Sequence, residues 1–420
     1  MSEDLRTRMH HVADEVTPLP VSDDLWRRGH AARRRAQALA VAAVLVVLVS
    51  VGGGVALWSA PDREARTASG EVPGGGAIPS RIEDVPDDLE MTTDLAVGRG
   101  SAAFVSATGD PVVITASDGV PRRMGLPGWD LQRGALALSP DGWSLAYQRV
   151  DAGTTVISRL DLGTGREEVL HRQPGEELTY DTLTWSPGGE WLAWSSSRYG
   201  DVPVVGRVRP GESRTIALPF TPSSVAVADS GALALTSMRG GLFLPVDGQQ
   251  GMGRVTSDVS VAAFAFSPDS RYVAVATEPG TSSSTYDVRT REVLRHPFPP
   301  DTLGESAVRP LGWLDDQLQV LVAQPLDGSA PELVVTTPDV GATSTWRGSV
   351  GSVSTSGVAN SLSLAVDLIP DLDGTSSQQL THDFGDTSDD PRDVSWLIGL
   401  GVAAAIALLL ALRWLWRRLT

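Results

Sequence analysis

The strongest constraint on this chain is a short string that returns at a steady interval. Leu136 to Tyr147 reads LALSPDGWSLAY, Leu183 to Trp194 reads LTWSPGGEWLAW, and Ala263 to Val275 reads AFAFSPDSRYVAV. Each copy is an alternating apolar run, a Ser-Pro-(Asp/Gly)-(Gly/Ser) turn and a second apolar run. Proline at the second turn position presets φ, Ser or Asp bonds the neighbouring backbone, and Gly takes a conformation that side chains resist, so each copy specifies a β-hairpin. Weaker copies stand at Leu95–Val105, Val225–Leu235, Leu311–Val322 and Ser352–Val366. Turns near positions 98, 139, 186, 229, 267, 314 and 355 recur every roughly 40 to 47 residues, the length of a four-stranded propeller blade. Val156–Gly165 (VISRLDLGTG) and Thr285–Leu294 (TYDVRTREVL) supply a third strand and an Asp-centred turn into a fourth. The expected fold class is all-β: a β-propeller of seven blades, with six as the alternative, flanked by two transmembrane α-helices.

The Ser-Pro-Asp-Gly hairpin followed by the Asp-centred turn resembles the TolB-type, WD40-like propeller repeat, over about residues 94–384. The Gly-His and Trp-Asp dipeptides of true WD40 blades do not recur in the copies, which puts the resemblance on the TolB-like side. The whole layout is similar to membrane-anchored actinobacterial proteins of WD40-like type. That resemblance implies an extracytoplasmic interaction scaffold and carries no active site over to this chain.

The flanking helices are read from two uncharged stretches. Ala38 to Trp58 runs 21 residues without a charge, enough at 1.5 Å per residue to cross a hydrocarbon core of roughly 30 Å, and Val394 to Leu412 is a second such run of 19. The first exceeds the apolar length of a signal peptide and is preceded by a long Arg-rich segment, which favours an uncleaved anchor. Arg27, Arg28, Arg33, Arg34 and Arg35 precede the first span, and Arg413, Arg417 and Arg418 follow the second, so both termini are expected inside. The division is then a cytoplasmic tail (1–36), a transmembrane helix (37–58), an extracytoplasmic Gly/Pro-rich linker (59–93), the propeller (94–384), an acidic linker (385–393), a second transmembrane helix (394–412) and a cytoplasmic Arg/Trp tail (413–420). The linker stretch Ile78 to Leu89 carries spaced apolar residues suited to docking on the ring or closing the final blade. A plasma-membrane location with the propeller outside follows.

Composition narrows the chemistry. No cysteine and no lysine occur among the 420 residues, which excludes disulfides, thiolate nucleophiles, zinc fingers, Schiff-base lysines and a Walker-A loop. A formal net charge of −17 argues against nucleic-acid binding, which needs clustered positive charge. His171, His296 and His382 fall in three separate repeats without metal spacing, and Ser139, Ser186 and Ser267 recur because turns favour them. Asp371, Asp373, Asp383, Asp386, Asp389 and Asp390 offer oxygen ligands but lack the spacing of a calcium loop. Trp129, Trp143, Trp185, Trp191, Trp194 and Trp313 read as packing between blades, with a sugar or peptide groove as the alternative. No catalytic, cofactor-binding or metal residue is assigned, no cofactor is expected, and the chain reads as a non-enzyme.

The function expected is a membrane-anchored extracytoplasmic propeller that serves as a binding scaffold or sensor for an envelope protein, peptide or glycan. The alternative is a transmembrane regulator acting through residues 1–36 on a cytoplasmic partner such as a sigma factor. A propeller hydrolase or lyase is the second alternative.

Overall fold

The turns that define the repeat close as their side chains require. In the computed structural model, Ser139 N donates to Ser144 O at 2.8 Å and Gly142 N to Ser139 O at 2.9 Å. The Ser139 hydroxyl donates to Asp141 Oδ1 at 2.5 Å and accepts from Ser144 N at 2.9 Å. Ser267 repeats the arrangement, donating to Asp269 Oδ1 at 2.6 Å and accepting from Tyr272 N at 2.9 Å. Gly142 sits at φ 77°, where a side chain would be strained. The second turn is equally specific: Asp161 Oδ1 accepts from Gly163 N and Thr164 N, and Asp287 Oδ1 accepts from Arg289 N and Thr290 N. Turn chemistry thus sets the first and last of the three bends in blades 2 and 5.

The structure describes residues 77–131, 134–172, 180–196, 202–245, 252–256, 264–276, 280–298, 303–338, 348–372 and 378–385. The two stretches expected to span a membrane, and both tails, lie outside these residues. Among the described residues no helix is long and apolar enough to cross a membrane.

Two short strands come first, β1 (Arg81–Ile82) and β2 (Met91–Thr92). Blade 1 follows with β3 (Gly100–Val105), β4 (Pro111–Thr115) and β5 (Pro121–Met124). Blade 2 holds β6 (Leu136–Leu138), β7 (Ser144–Asp151), β8 (Thr154–Asp161) and β9 (Arg166–Arg172). Blade 3 holds β10 (Thr182–Trp185), β11 (Leu192–Ser196), β12 (Val204–Arg209) and β13 (Glu212–Ala217). Blade 4 holds β14 (Pro222–Val227), β15 (Leu233–Ser237), β16 (Leu242–Pro245) and β17 (Met252–Thr256). Blade 5 holds β18 (Phe264–Phe266), β19 (Tyr272–Val275), β20 (Ser282–Asp287) and β21 (Glu292–Pro297). Blade 6 holds β22 (Ser306–Trp313), β23 (Gln319–Pro325), β24 (Glu332–Thr336) and β25 (Gly348–Val353), after which come a one-turn helix, α1 (Ser356–Ser361), and β26 (Ser363–Leu364). The six sheets stand in a closed ring with β26 of the last segment on the inner edge of blade 1.

The ring therefore has six blades, not the seven favoured from the repeat count, and the reason is specific. Five of the seven copies are complete hairpins. The other two are halves of a single blade. In the copy at 95–105 only the second run forms a strand, β3, and its missing inner neighbour is β26, drawn from the copy at 352–366 through the pairs Ser363↔Ala103 and Leu364↔Ala102. The middle of that last copy is α1, capped by the Thr355 hydroxyl accepting from Val358 N.

The N-terminal end closes the ring from the opposite edge. β1 lies parallel to β25 on the outside of blade 6, and β2 lies parallel to β5 on the outside of blade 1, so two short pieces of the linker stretch, Arg81–Ile82 and Met91–Thr92, form sheet edges. Arg123 secures this entry: it pairs with the buried Asp110 at 2.5 Å and donates to Asp87 O at 2.9 Å and Leu89 O at 3.2 Å. Pro79 bridges His382, with His382 N on Ile78 O at 2.8 Å, which brings the two described ends side by side.

Apolar side chains fill the spaces between sheets, as the alternation demands. Tyr180, Leu183 and Trp194 of blade 3 meet Ala146 and Ile157 of blade 2, and Trp191 and Val205 meet Val225 and Leu235 of blade 4. Around the seam the core is continuous, joining Ile82, Phe104, Tyr147, Val320, Leu333 and Leu364.

Candidate functional site: the central channel

The innermost strands β26, β6, β10, β14, β18 and β22 surround a cavity of about 660 Å3. Its wall mixes apolar surface, from Leu138, Trp185, Phe266, Pro310 and Trp313, with hydroxyl and amide groups from Thr182, Thr184, Ser223, Asn360 and Ser361. Two of the tryptophans also fasten blades together. Trp185 Nε1 donates to Ala137 O of blade 2 and Trp313 Nε1 to Ala265 O of blade 5, each at 3.0 Å. A buried indole N–H needs such an acceptor, and here the acceptor lies on the inner strand of the preceding blade.

β22 brings a positive charge into this space. Arg309 donates from Nε to Ala359 O at 3.0 Å and from Nη2 to Ala359 O and Leu362 O, each at 2.6 Å. Those carbonyls belong to the end of α1, where backbone acceptors have no intrahelical donor. Among the described residues Nη1 has no acceptor and no carboxylate pairs with the guanidinium. Protein surrounds Arg309 on all sides, yet it retains accessible surface because it faces the cavity. Burial pulls its pKa down to about 10, which leaves it charged at neutral pH. Asp181 lines the cavity from blade 3, which stands opposite blade 6 in the ring.

The rim on the turn side is acidic. Asp229 Oδ1 accepts from Gly188 N and Asp316 Oδ1 from Asp269 N, each at 2.8 Å, so a carboxylate of one blade holds the turn of the blade before it. Asp367, whose N–H donates to Pro140 O, has its pKa raised by partial desolvation and then by repulsion from Asp141 and Asp229.

The residues singled out from sequence are dispersed. Ser139, Ser186 and Ser267 serve their turns, and Trp191 N donates to the Ser186 hydroxyl at 3.2 Å. His171 lies against Trp194 with Nδ1 at 2.9 Å from the Ser213 hydroxyl, His296 is buried in β21, and His382 packs on Phe384. Of the acidic set, Asp373, Asp386, Asp389 and Asp390 lie outside the described residues. Asp383 Oδ1 accepts from Gly385 N and stands 3.7 Å from Arg81. Among the described residues no three His, Asp or Glu side chains are placed to hold a metal ion. Trp194 is fully buried and Trp191 nearly so, under the guanidinium groups of Arg207 and Arg209, while Trp185 and Trp313 both pack between blades and line the channel. Arg309 was not a candidate: it stands two residues before the copy that begins at Leu311, and nothing local marks it.

The fold and channel define the chain as a six-bladed β-propeller with a polar pore lined by one arginine, Arg309, and one aspartate, Asp181. No protein-family model matches the chain, and no curated protein matches it. Among solved structures it is similar to TolB from Acinetobacter baumannii (18% identity, 60% of this chain and 63% of that one, TM-score 0.41). It is also similar to the β-propeller domain of Myceliophteria thermophila Cps50 (Swd1) (16%, 52% and 70%, TM-score 0.38) and to puromycin hydrolase (14%, 64% and 47%, TM-score 0.44). The chain thus spans under two thirds of that TolB and about half of the puromycin hydrolase.

Proposed function

We propose that the protein is a membrane-anchored extracytoplasmic propeller that works as a binding scaffold, with the central channel as its recognition site. The observation that carries this reading is the cavity of about 660 Å3, whose size suits a small ligand or a peptide segment and whose wall combines apolar surface with a few directed polar groups. Binding rather than catalysis is favoured because four of the channel hydroxyls are engaged elsewhere. Ser361 donates to Val105 O, Ser363 to Leu138 O, and Ser223 and Thr182 bond Thr236 and Ser195. Among the described residues no histidine lines the cavity to activate one.

The anchoring part of the reading rests on residues 37–58 and 394–412. It is supported by the bridge of Pro79 to His382, since a ring whose ends emerge together suits a chain that returns to the membrane at both ends. The 59–393 stretch carries 24 Arg against 45 acidic residues, a net of −21 that keeps such a ring soluble. Because the chain has no cysteine, single cysteines at positions 10, 150 and 420 report topology cleanly; Val150 is an exposed residue of β7. In intact cells a membrane-impermeant maleimide should label V150C and spare H10C and T420C. Protection of V150C would defeat the orientation. Crosslinking in intact cells, with full-length protein beside a chain lacking residues 1–25, then separates the scaffold from a regulator acting through its tail. Partners kept by both chains support the scaffold.

A further inference from the structure

We propose that the channel binds its ligand through one carboxylate seated on Arg309 Nη1, with an apolar body lying against Trp185 and Trp313. This rests on the reading of the channel as the binding site. Three carbonyl bonds hold Nε and Nη2 of Arg309, so the planar group is fixed before any ligand arrives. Its fourth and fifth N–H bonds, on Nη1, have no acceptor among the described residues. A neutral carbonyl pair leaves the positive charge uncompensated in a protein that is otherwise strongly acidic. A buried cation with a spare donor is a place where an anion gains a charge-assisted hydrogen bond.

The number of donors narrows the anion. With the rest of the fork engaged, only one amino group is offered, which matches one oxygen of a carboxylate and falls short of the several donors that phosphate sites gather. The approach narrows it further. Asp141, Asp229, Asp269, Asp316 and Asp367 sit on the turn face, where Asp367 already feels Asp141 and Asp229, so a polyanion would bring several charges past a repelling rim. A monocarboxylate brings one. The indoles of Trp185 and Trp313 are fixed by their bonds to Ala137 O and Ala265 O, so the apolar surface they lend the cavity, most of it from Trp185 because Trp313 is 4% exposed, is presented at low entropic cost. A small carboxylic acid and the C-terminus of a peptide share this chemistry.

The full-length protein in detergent micelles is titrated with hexanoate, phenylacetate and an acetylated Ala-Ala-Leu tripeptide, each beside its neutral amide, and with inorganic phosphate. Indole fluorescence reports occupancy, assigned with W185F and W313F. The expected result is saturable binding of at least one acid, about ten-fold or more tighter than its amide. Tightest binding by the tripeptide acid identifies a peptide C-terminus, and tightest binding by a free acid identifies a small carboxylate. Equal affinity of every acid and its amide, no binding by any acid, or phosphate binding tighter than all of them overturns the proposal. R309Q should abolish the acid-over-amide preference and R309K should keep part of it. Should R309Q fail to fold, T184F decides: it narrows the channel without touching the bonds of Arg309 and must weaken acid and amide alike. Unchanged binding in T184F would place the probe elsewhere and sink the proposal. The crosslinking experiment is independent, so capture of partners without acid preference removes this inference alone.

Discussion

Blades 2 and 3 and the seam between blades 1 and 6 solve one problem in different ways. Each of blades 2 and 3 is a contiguous stretch whose first bend is a Ser-Pro turn and whose last is a short local turn, Asp161-centred in blade 2 and Pro210-Gly211 in blade 3. The seam is assembled from chain ends: β26 enters blade 1 from within, β1 joins blade 6 from outside, and the two described ends meet at the bridge of Pro79 to His382. Local turn chemistry can build a blade without knowing its neighbours, whereas closing the ring pairs residues about 260 positions apart, such as Leu364 and Ala102. Loop-closure entropy falls most heavily on the second kind of contact. Stability of the ring should therefore be most sensitive at the seam.

The largest effect expected is from L364D. Leu364 is 3% exposed inside the continuous core, and an unpaired carboxylate there costs about 4 kcal/mol or more, a large share of a domain's stability. V255D, on the outer strand of blade 4 where Val255 is 39% exposed, should change stability by no more than about 0.5 kcal/mol. Urea unfolding followed by circular dichroism compares them; equal midpoints would remove the distinction between seam and periphery.

Two glycines sharpen the part played by contact between blades. Gly142 (φ 77°) and Gly153 (φ 81°) have the same backbone conformation, but a Cβ on Gly142 would collide with Gly100 O, whereas Gly153 has nothing within 4 Å. G153A should cost about 1–2 kcal/mol for the left-handed conformation alone. G142A should cost about 3 kcal/mol or more, because Gly100 N must also keep its 2.8 Å bond to Gly142 O. Equal losses would mean that the blades yield freely at this junction. Comparable to G153A is W313F, which leaves Ala265 O without its indole donor and should cost about 1–2 kcal/mol by the same urea measurement.

The same contrast marks how far the sequence could be read. Ser139, Ser267, Asp161 and Asp287 each act on backbone within a few residues, so their roles follow from local spacing. The copies at 95–105 and 352–366 look alike to any local rule, since both alternate apolar residues around Gly or Ser. That they form one blade depends on which strand each meets, a fact stored in packing rather than in either segment. Six blades instead of seven is the consequence. Arg309 was illegible for the same reason, because its meaning comes from Ala359 O and Leu362 O about 50 residues away. The channel tryptophans were visible as inter-blade packing, but no local signal shows that Trp185 and Trp313 also face the pore.

The smallest and most discriminating effects are electrostatic, and they have opposite signs in the two regions. In blade 5, burial of Asp287 opposes its charge, but Thr290 N–H, the Arg271 guanidinium and Arg289 N–H outweigh burial and hold its pKa below the usual carboxylate value. A depressed folded pKa gives stability that is present above the unfolded value of about 3.9 and is lost as pH falls through the folded one. At the seam, Asp367 is raised by desolvation and by Asp141 and Asp229, so its favourable contribution exists at low pH and disappears as pH rises through the folded value. D287N should therefore lower Tm at pH 7 by an amount that shrinks below about pH 4, whereas D367N should raise Tm at pH 7 and lose that advantage over the same acid range. Thermal unfolding of both variants across this range tests the signs. If both Asn variants shift Tm in one direction at neutral pH, the rim carboxylates are screened from one another by solvent, and the acidic face ceases to be a barrier that sorts anions entering the channel.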